Sequence, residues 1–311
     1  MPYIELHNRL VEYKRLFKYY TLQKSCKKNL YISLIDGRYY HGGMADRFKG
    51  MVSIYAFCKA QNLDYRICYK YPFQLENYLI PNIYNWQLKD NEFLSYNIFH
   101  SKPLILSKET EGKRLFRTRS NKQFHIYFNR DILEQINTHF QKNYQWGELF
   151  HELFKPTARL SAAIEQNLTQ ISQNYIALVF RFQQLLGDFN ETGYPILSDP
   201  EKQILIQKCL AQINQMHTQH PHQAFLITSD SISFLQEAQK IENCYIIPGK
   251  LTHMDYTRND DFDIHLKSFV DFFMLSKSQK IYSIGTKQMY PSEFPLYAAK
   301  LGNIPFQRIW I

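Results

Sequence analysis

The chain of 311 residues is 45% hydrophobic and 21% charged, an ordinary globular balance that is long for one core and predicts two domains. A formal charge of +9 suits an anionic partner (a phosphorylated ligand, nucleic acid or an anionic membrane surface) and equally a solvated basic surface. No run reaches the ~20 apolar residues that span a bilayer, the first residues lack the regions of a signal peptide, and five scattered cysteines without a CxxC pair argue against a disulfide scaffold or structural zinc. The expectation is a cytoplasmic protein, with at most peripheral contact to an anionic inner membrane face.

In chain order, residues 1–28 read as a basic amphipathic helix with Leu6, Leu10, Tyr13, Leu16, Phe17 and Tyr20 roughly on one face. Such a helix can lie on a membrane surface or dock on its own domain, and docking is the preferred reading. Leu30–Ile35 is a strand, followed by a turn through Asp36 to Gly43 and a helix from about Met44 to Gln61 that turns Met51, Ile54, Tyr55 and Cys58 inward. Tyr65–Tyr69 is a second strand. Between 71 and 165 short strands (Leu104–Leu106, Gln123–Phe128) mix with helices near 131–142 and 147–154, and Pro156–Asn174 reads as a helix leading into a second domain.

From Asn174 onward one unit recurs about four times: a β-rich apolar run, a polar turn and an amphipathic helix. The runs are Tyr175–Phe180, Ala224–Thr228, Cys244–Pro248 and Lys280–Ile284. Continuous apolar runs separated by helices predict parallel strands buried on both faces. Ligands of such sheets bind at the carboxyl ends of the strands. There the sequence places Arg181, then Thr228, Ser229 and Asp230, then His253, then the loop from Thr286 to Ser292. An arginine and several hydroxyls on one sheet edge suit a nucleotide, because the guanidinium fork matches diphosphate oxygens. Thr228–Asp230 could equally cap the helix near Ser231, and Ser292 precedes a helix expected from about Pro291.

In the first half, His41-Gly-Gly-Met-Ala-Asp-Arg-Phe-Lys-Gly50 lies between a strand and a helix. Gly42 and Gly43 let backbone N–H groups approach an anion at a helix N-terminus, with Arg47 and Lys49 adding charge. The alternative is a tight turn with a cap at Asp46. The segment matches neither the Walker A nor the G-x-G-x-x-G pattern. Asp271 interrupts the apolar run Ser268–Leu275 and is expected on the outer helix face, paired with Lys267. No compact histidine ligand spacing appears, so no metal is expected.

Four islands, in order, resemble the bacterial fucosyltransferases of the nodulation type and their α1,6- and protein O-fucosyltransferase relatives. They are Gly42–Gly50, Val179–Phe182 with Leu186–Asp188, Thr228–Asp230, and Asp271–Ser276 with Ser292–Phe294. The resemblance implies an α/β, GT-B-like fold of two Rossmann-like domains facing across a cleft. Residues 1–165 would form the acceptor side and 166–311 the nucleotide-sugar domain. It implies an inverting, metal-independent fucosyl transfer from GDP-fucose to an oligosaccharide or lipid-linked glycan acceptor, with no cofactor and no nucleic acid. Arg181 then contacts the donor phosphates and stabilises the leaving group, Asp230 with Thr228 and Ser229 meets the nucleoside, and Ser292 binds phosphate. Gly42, Gly43, Arg47, His253 and Asp271 complete the expected donor set, and Asp46, His41 and Asp188 stay open as the base. The chain departs from the family pattern in having Phe180 before the arginine and five residues, Phe182 to Leu186, between it and Gly187-Asp188. A different nucleotide-sugar, or a catalytically idle nucleotide- or polyanion-binding protein, is the alternative.

Overall fold

The computed structural model describes residues 2–25, 29–106, 108, 110, 112–118, 121–171, 174–188, 195–252 and 261–311. The chain forms two compact units, Met1–Leu75 with Leu79–Lys155, and Glu76–Tyr78 with Pro156–Ile311. The division falls before residue 165 because the helix there, α6 below, packs on elements of the second unit.

The first unit contains α1 (Pro2–Phe17), β1 (Leu30–Ile35), α2 (Met44–Ala60), β2 (Asp64–Tyr69), β3 (Leu79–Pro81), β4 (Ser101–Leu106), α3 (Gly112–Phe116), β5 (Gln123–Phe128), α4 (Leu133–Phe140), α5 (Trp146–Leu153) and β6 (Phe154–Pro156). Its main sheet runs β2-β1-β5-β4, all parallel. β1 and β5 are neighbours at the centre, so the segments after Ile35 and Phe128 emerge side by side. Met51, Ile54, Tyr55 and Cys58 are buried on α2 as expected, but so is nearly every residue from Met44 to Cys58, so the helix is covered all round and not on one face. Gly50 allows α2 its close approach to the sheet: a Cβ there would lie 1.9 Å from the carbonyl oxygen of Phe128.

The end of α1 and the segment after it dock on this unit. Leu16 is buried in the core with Leu30, Ile32 and Ile105, while Lys14, Arg15 and Lys18 face solvent. The Tyr13 hydroxyl accepts from the Ile105 N–H at 3.2 Å and from Arg114 at 2.8 Å. Tyr20 donates to Nδ1 of His125 at 2.6 Å, and Nε2–H of His125 donates to Gln123 at 2.8 Å, so His125 is held as the neutral ring. Leu10 and Phe17, placed on the apolar face by the sequence, are exposed. Among the described residues no helix is long and apolar enough to cross a membrane.

The second unit contains α6 (Ala158–Ile171), β7 (Tyr175–Phe180), α7 (Asp199–Gln219), β8 (Ala224–Ser229), α8 (Ile232–Ala238), β9 (Cys244–Tyr245), α9 (Phe262–Ser276), β10 (Lys280–Gly285), α10 (Phe294–Gly302) and β11 (Phe306–Trp310). Its parallel sheet runs β11-β10-β7-β8-β9. The chain moves from β7 to one side and from β10 to the other, so strand order reverses between them. That reversal opens the crevice in which doubly wound sheets hold ligands. β7, β8 and β10 are the expected apolar runs. The third run pairs only at Cys244–Tyr245, and Pro248, lacking an N–H, could not have donated to the ladder. The edge strand β11 was not expected, since half-exposed Phe306–Trp310 carries no continuous apolar signal. α10 begins at Phe294 rather than Pro291.

Two outcomes follow. Gly50→Ala should destabilise the protein by about 1–3 kcal/mol, the usual cost of overpacking, read as a lower denaturant midpoint. Burial holds His41 and His125 down to about 3, whereas the unfolded rings take a proton near pH ~6.5. Stability from these two rings is therefore complete above about pH 6.5 and is lost as pH falls toward 3, by up to about 1.4 kcal/mol per pH unit for each. Asp36, Asp230 and Asp271, pushed upward by burial, act in the opposite sense. Denaturation of His125→Gln beside the parent at pH 7.5 and 5 isolates the histidine contribution, and the variant should lose less stability on acidification.

Candidate functional site

In the second unit β7 and β8 end in register, Phe180 beside Ser229, and Ile284 of β10 pairs with Phe180 from the other side. Arg181 and Asp230 therefore leave the sheet as neighbours. Arg181 Nη1 donates to Asp230 Oδ2 at 2.9 Å, with the arginine side chain 22% and the aspartate 4% exposed. The same carboxylate accepts from the N–H of Phe182 at 2.8 Å and of Gln183 at 2.7 Å. Burial pushes Asp230 above the usual carboxylate range, while Arg181 and the two N–H donors pull it back. Gln183 adopts φ 53° and Gly187 φ 80°, which folds the segment back on itself and buries Phe182, Leu185 and Leu186. The five residues after Arg181 thus form a packed turn.

Asp188 closes that turn. Its Oδ2 accepts from the Ser231 hydroxyl at 3.0 Å and from the N–H and hydroxyl of Ser233 at 2.7 and 2.8 Å, fastening the loop to the start of α8. Ser231, and not Thr228 or Asp230, is the N-cap: its hydroxyl accepts from the Phe234 N–H. Ser229 Oγ accepts from the Ser231 N–H at 3.1 Å. Thr228 Oγ1, Gln183 Oε1 and Asp188 Oδ1 are buried with no protein hydrogen-bond partner. A buried polar atom left unmatched costs about 1–3 kcal/mol, and these three lie on the strand end and the turn that carry Asp230 and Arg181. Gln183 was missed in the sequence; its one signal was adjacency to Arg181.

Ser292 lies on the loop after β10, where its Oγ accepts from the Phe294 N–H at 3.2 Å and its carbonyl from Arg308 at 2.8 Å. Asp271 is not on the outer face of its helix. It is buried with Lys267, whose Nζ lies 2.9 and 3.1 Å from its two oxygens. The reason is that α9 is buried nearly all round, with Phe269, Val270 and Phe272–Leu275 in the core. Burial pushes Asp271 upward and Lys267 opposes it. His253 lies outside the described residues.

In the first unit the Asp36–Gly43 turn follows β1. Gly42 has φ 76°, and a Cβ there would lie 2.6 Å from the Asp46 carboxylate, so this position needs glycine. Gly43 is the N-cap of α2 with no side chain capping it. Arg47, expected to face the donor, is buried and donates to the Gly42 carbonyl at 2.9 Å, the Tyr69 hydroxyl at 2.7 Å and the Tyr71 carbonyl at 2.6 Å. Its guanidinium ties the glycine turn to β2 because the first turn of α2 sits on the sheet edge. His41 is buried, with Nε2 accepting from the Gly37 N–H at 3.1 Å; burial and nearby Arg47 keep it neutral. Asp36 accepts from the Arg38 N–H at 3.0 Å and the Tyr127 hydroxyl at 3.2 Å. Asp46 is 33% exposed and lies 2.6 Å from Lys49. Among the described residues no three His, Cys, Asp or Glu side chains form a ligand set.

Two parallel α/β sheets, the second with an arginine–aspartate pair at the carboxyl ends of adjacent strands, define a doubly wound protein. No family model and no curated protein matches the chain. Among solved structures it is similar to an Arabidopsis thaliana FUT1 mutant in complex with GDP, at TM-score 0.57 and 12% identity over 95% of this chain and 74% of that one. It is also similar to the NodZ α-1,6-fucosyltransferase soaked with GDP-fucose, at TM-score 0.56 and 13% identity over 88% and 93%. The fucosyltransferase NodZ from Bradyrhizobium gives TM-score 0.53 and 11% identity over 88% and 92%. The chain therefore has the GT-B-type α/β fold of these fucosyltransferases.

Replacing Asp230 with Ala would strand two backbone donors and release Arg181. Urea denaturation should show a loss of about 3 kcal/mol, between the cost of an unmatched donor and that of a broken buried pair. Asp230→Asn, which keeps an acceptor, should lose less. Equal losses would mean that the carboxylate's geometry is not what holds the loop.

Proposed function

We propose that the protein is an inverting, metal-independent glycosyltransferase that moves fucose from GDP-fucose to a hydroxyl of an oligosaccharide or lipid-linked glycan. The observation that carries this reading is the Arg181–Asp230 pair at the carboxyl ends of β7 and β8, with the unmatched Thr228 and Gln183 oxygens on the same two segments. The shared fold with fucosyltransferases solved with GDP and GDP-fucose supports it.

In the proposed reaction the acceptor hydroxyl attacks the anomeric carbon, the bond to the diphosphate breaks, and GDP leaves. Arg181, already oriented by Asp230, takes the charge that develops on the departing diphosphate without reorganising. Thr228 Oγ1 can donate to or accept from the nucleoside, and Gln183 Oε1 accepts from a hydroxyl or base N–H. Of the three base candidates, His41 has its one lone pair engaged by Gly37, and Asp188 spends one oxygen on three donors. Asp46 is a third exposed and paired with Lys49 at 2.6 Å, so both carboxylates, Asp46 and Asp188, stand as candidates for the group that receives the acceptor proton.

The test is a thermal-shift series with GDP, UDP, CDP, ADP and their sugar conjugates in EDTA, followed by transfer assays. GDP or GDP-fucose near a hundred times its Kd should stabilise the protein by about 2.7 kcal/mol. Arg181→Ala should lower turnover at least about a hundredfold, and the carboxylate that serves as base is the one whose amide variant, Asp46→Asn or Asp188→Asn, lowers kcat by about 10²–10⁴. A response to another nucleotide alone would replace the donor. Near-normal turnover by Arg181→Ala would overturn the assignment of the leaving-group site.

A further inference from the structure

A second surface of the same unit has a chemistry that the donor reading does not use. One side of α7 buries Leu205, Ile206, Cys209, Ile213 and Met216. Gln212, Gln215 and Gln219, spaced by three and four residues, line up along the neighbouring side. Facing them across the sheet are Tyr282 of β10 with Gln307 and Trp310 of β11. Together these residues line an open groove of about 640 Å³. This lies within the usual range of small-ligand sites, ~300–1,000 Å³.

Three features narrow the occupant. First, Trp310 is 55% exposed, whereas the other two tryptophans, Trp86 and Trp146, are buried in the first unit. An indole left in water at the lip of a groove offers a flat apolar face with a polar edge. Second, four of the polar residues in the lining, Gln212, Gln215, Gln219 and Gln307, are primary amides. Each amide carries an acceptor and two donors, which suits a ligand whose groups are hydroxyls that both donate and accept. Third, no acidic side chain among the described residues lines the groove, and its cations are Lys208 in the lining and Lys280 against Gln307 and Tyr282. A polyphosphate finds too little positive charge there. Gln307 is held in place, its Oε1 accepting from Lys280 Nζ at 2.9 Å, with that ammonium also 4.4 Å from the Tyr282 ring centre.

We propose that this groove binds an oligosaccharide chain, with Trp310 stacking on a sugar ring and the glutamine row of α7 bonding its hydroxyls. The site shares no residue with the Arg181–Asp230 edge. Its assignment does not rest on the donor reading, so failure of GDP binding and failure of this proposal are separate results.

The full chain, labelled at an amine, is applied to a printed array of neutral and acidic oligosaccharides, and each glycan retained is titrated in solution by tryptophan fluorescence. With Trp86 and Trp146 buried, Trp310 dominates any change on binding. Retention of a glycan, a saturable change in emission, and at least about tenfold weaker binding by Trp310→Ala are expected. Gln215→Ala, an exposed helix position where alanine is well tolerated, should weaken binding with far-UV circular dichroism and Tm unchanged. Arg181→Ala should bind the glycan as the parent does. An array that retains nothing, or binding indifferent to both groove variants, overturns the proposal. So does concentration-dependent self-association by light scattering that Trp310→Ala abolishes, which would give the groove and the β11 edge to a second copy of the chain.

Discussion

The candidate site depends on one buried carboxylate. Asp230 accepts from a guanidinium and from two consecutive backbone N–H groups, all between 2.7 and 2.9 Å. Burying a carboxylate is costly unless its oxygens are matched, and here the match comes from the loop that must be positioned. The strand β8 sets the aspartate, the aspartate sets the turn after β7, and the turn presents Arg181 and Gln183. The anion's need for donors and the loop's need for an anchor are met by the same three bonds, which gives the arginine a fixed direction before any ligand arrives.

The first unit uses a related device. Asp36 follows a central strand, accepts a backbone N–H two residues on, and takes a hydroxyl from the neighbouring strand. Arg47 does for the glycine turn what Asp230 does for the arginine turn: a buried charged group bonds backbone atoms of a loop that has no regular ladder. In both units an irregular strand-end segment is held by a side chain from a rigid element. That arrangement allows a loop to carry chemistry without the looseness of a surface connection. Asp188 adds a second fastening in the other unit, at the far end of the turn.

Much of this was legible in the linear pattern. Gln123–Phe128 and Tyr175–Phe180 are strands over the ranges read from the sequence, because six residues rich in aromatic and β-branched side chains are the length of a strand and too short for a helix. The position of Arg181 and Asp230 at neighbouring strand ends followed from those runs and the rule for parallel sheets. Other residues were misread for physical reasons. Arg47 looked like a ligand cation because charge beside paired glycines suits phosphate; only the packing of α2 against β2 turned it inward. Asp271 looked like an exposed i,i+4 partner, and the pair exists, but α9 is covered on most sides and the ion pair is buried with it. The edge strand β11 left little trace, since half-exposed alternation over five residues resembles a polar tail.

The sequence by itself determined the two-domain α/β architecture, the strands of the second sheet that bear the site, and the residue types at their carboxyl ends. These follow from local periodicity and from where apolar runs stop. Tertiary structure decided which of those residues are tied into the scaffold, because that depends on partners far apart in the chain: Asp230 meets Gln183 across 47 positions, and Arg47 meets Tyr69 across 22. It also decided that the segment between Arg181 and Asp188 is a packed turn. Hydrogen-bond matching inside a buried loop is a property of three-dimensional neighbours, and no spacing along the chain encodes it.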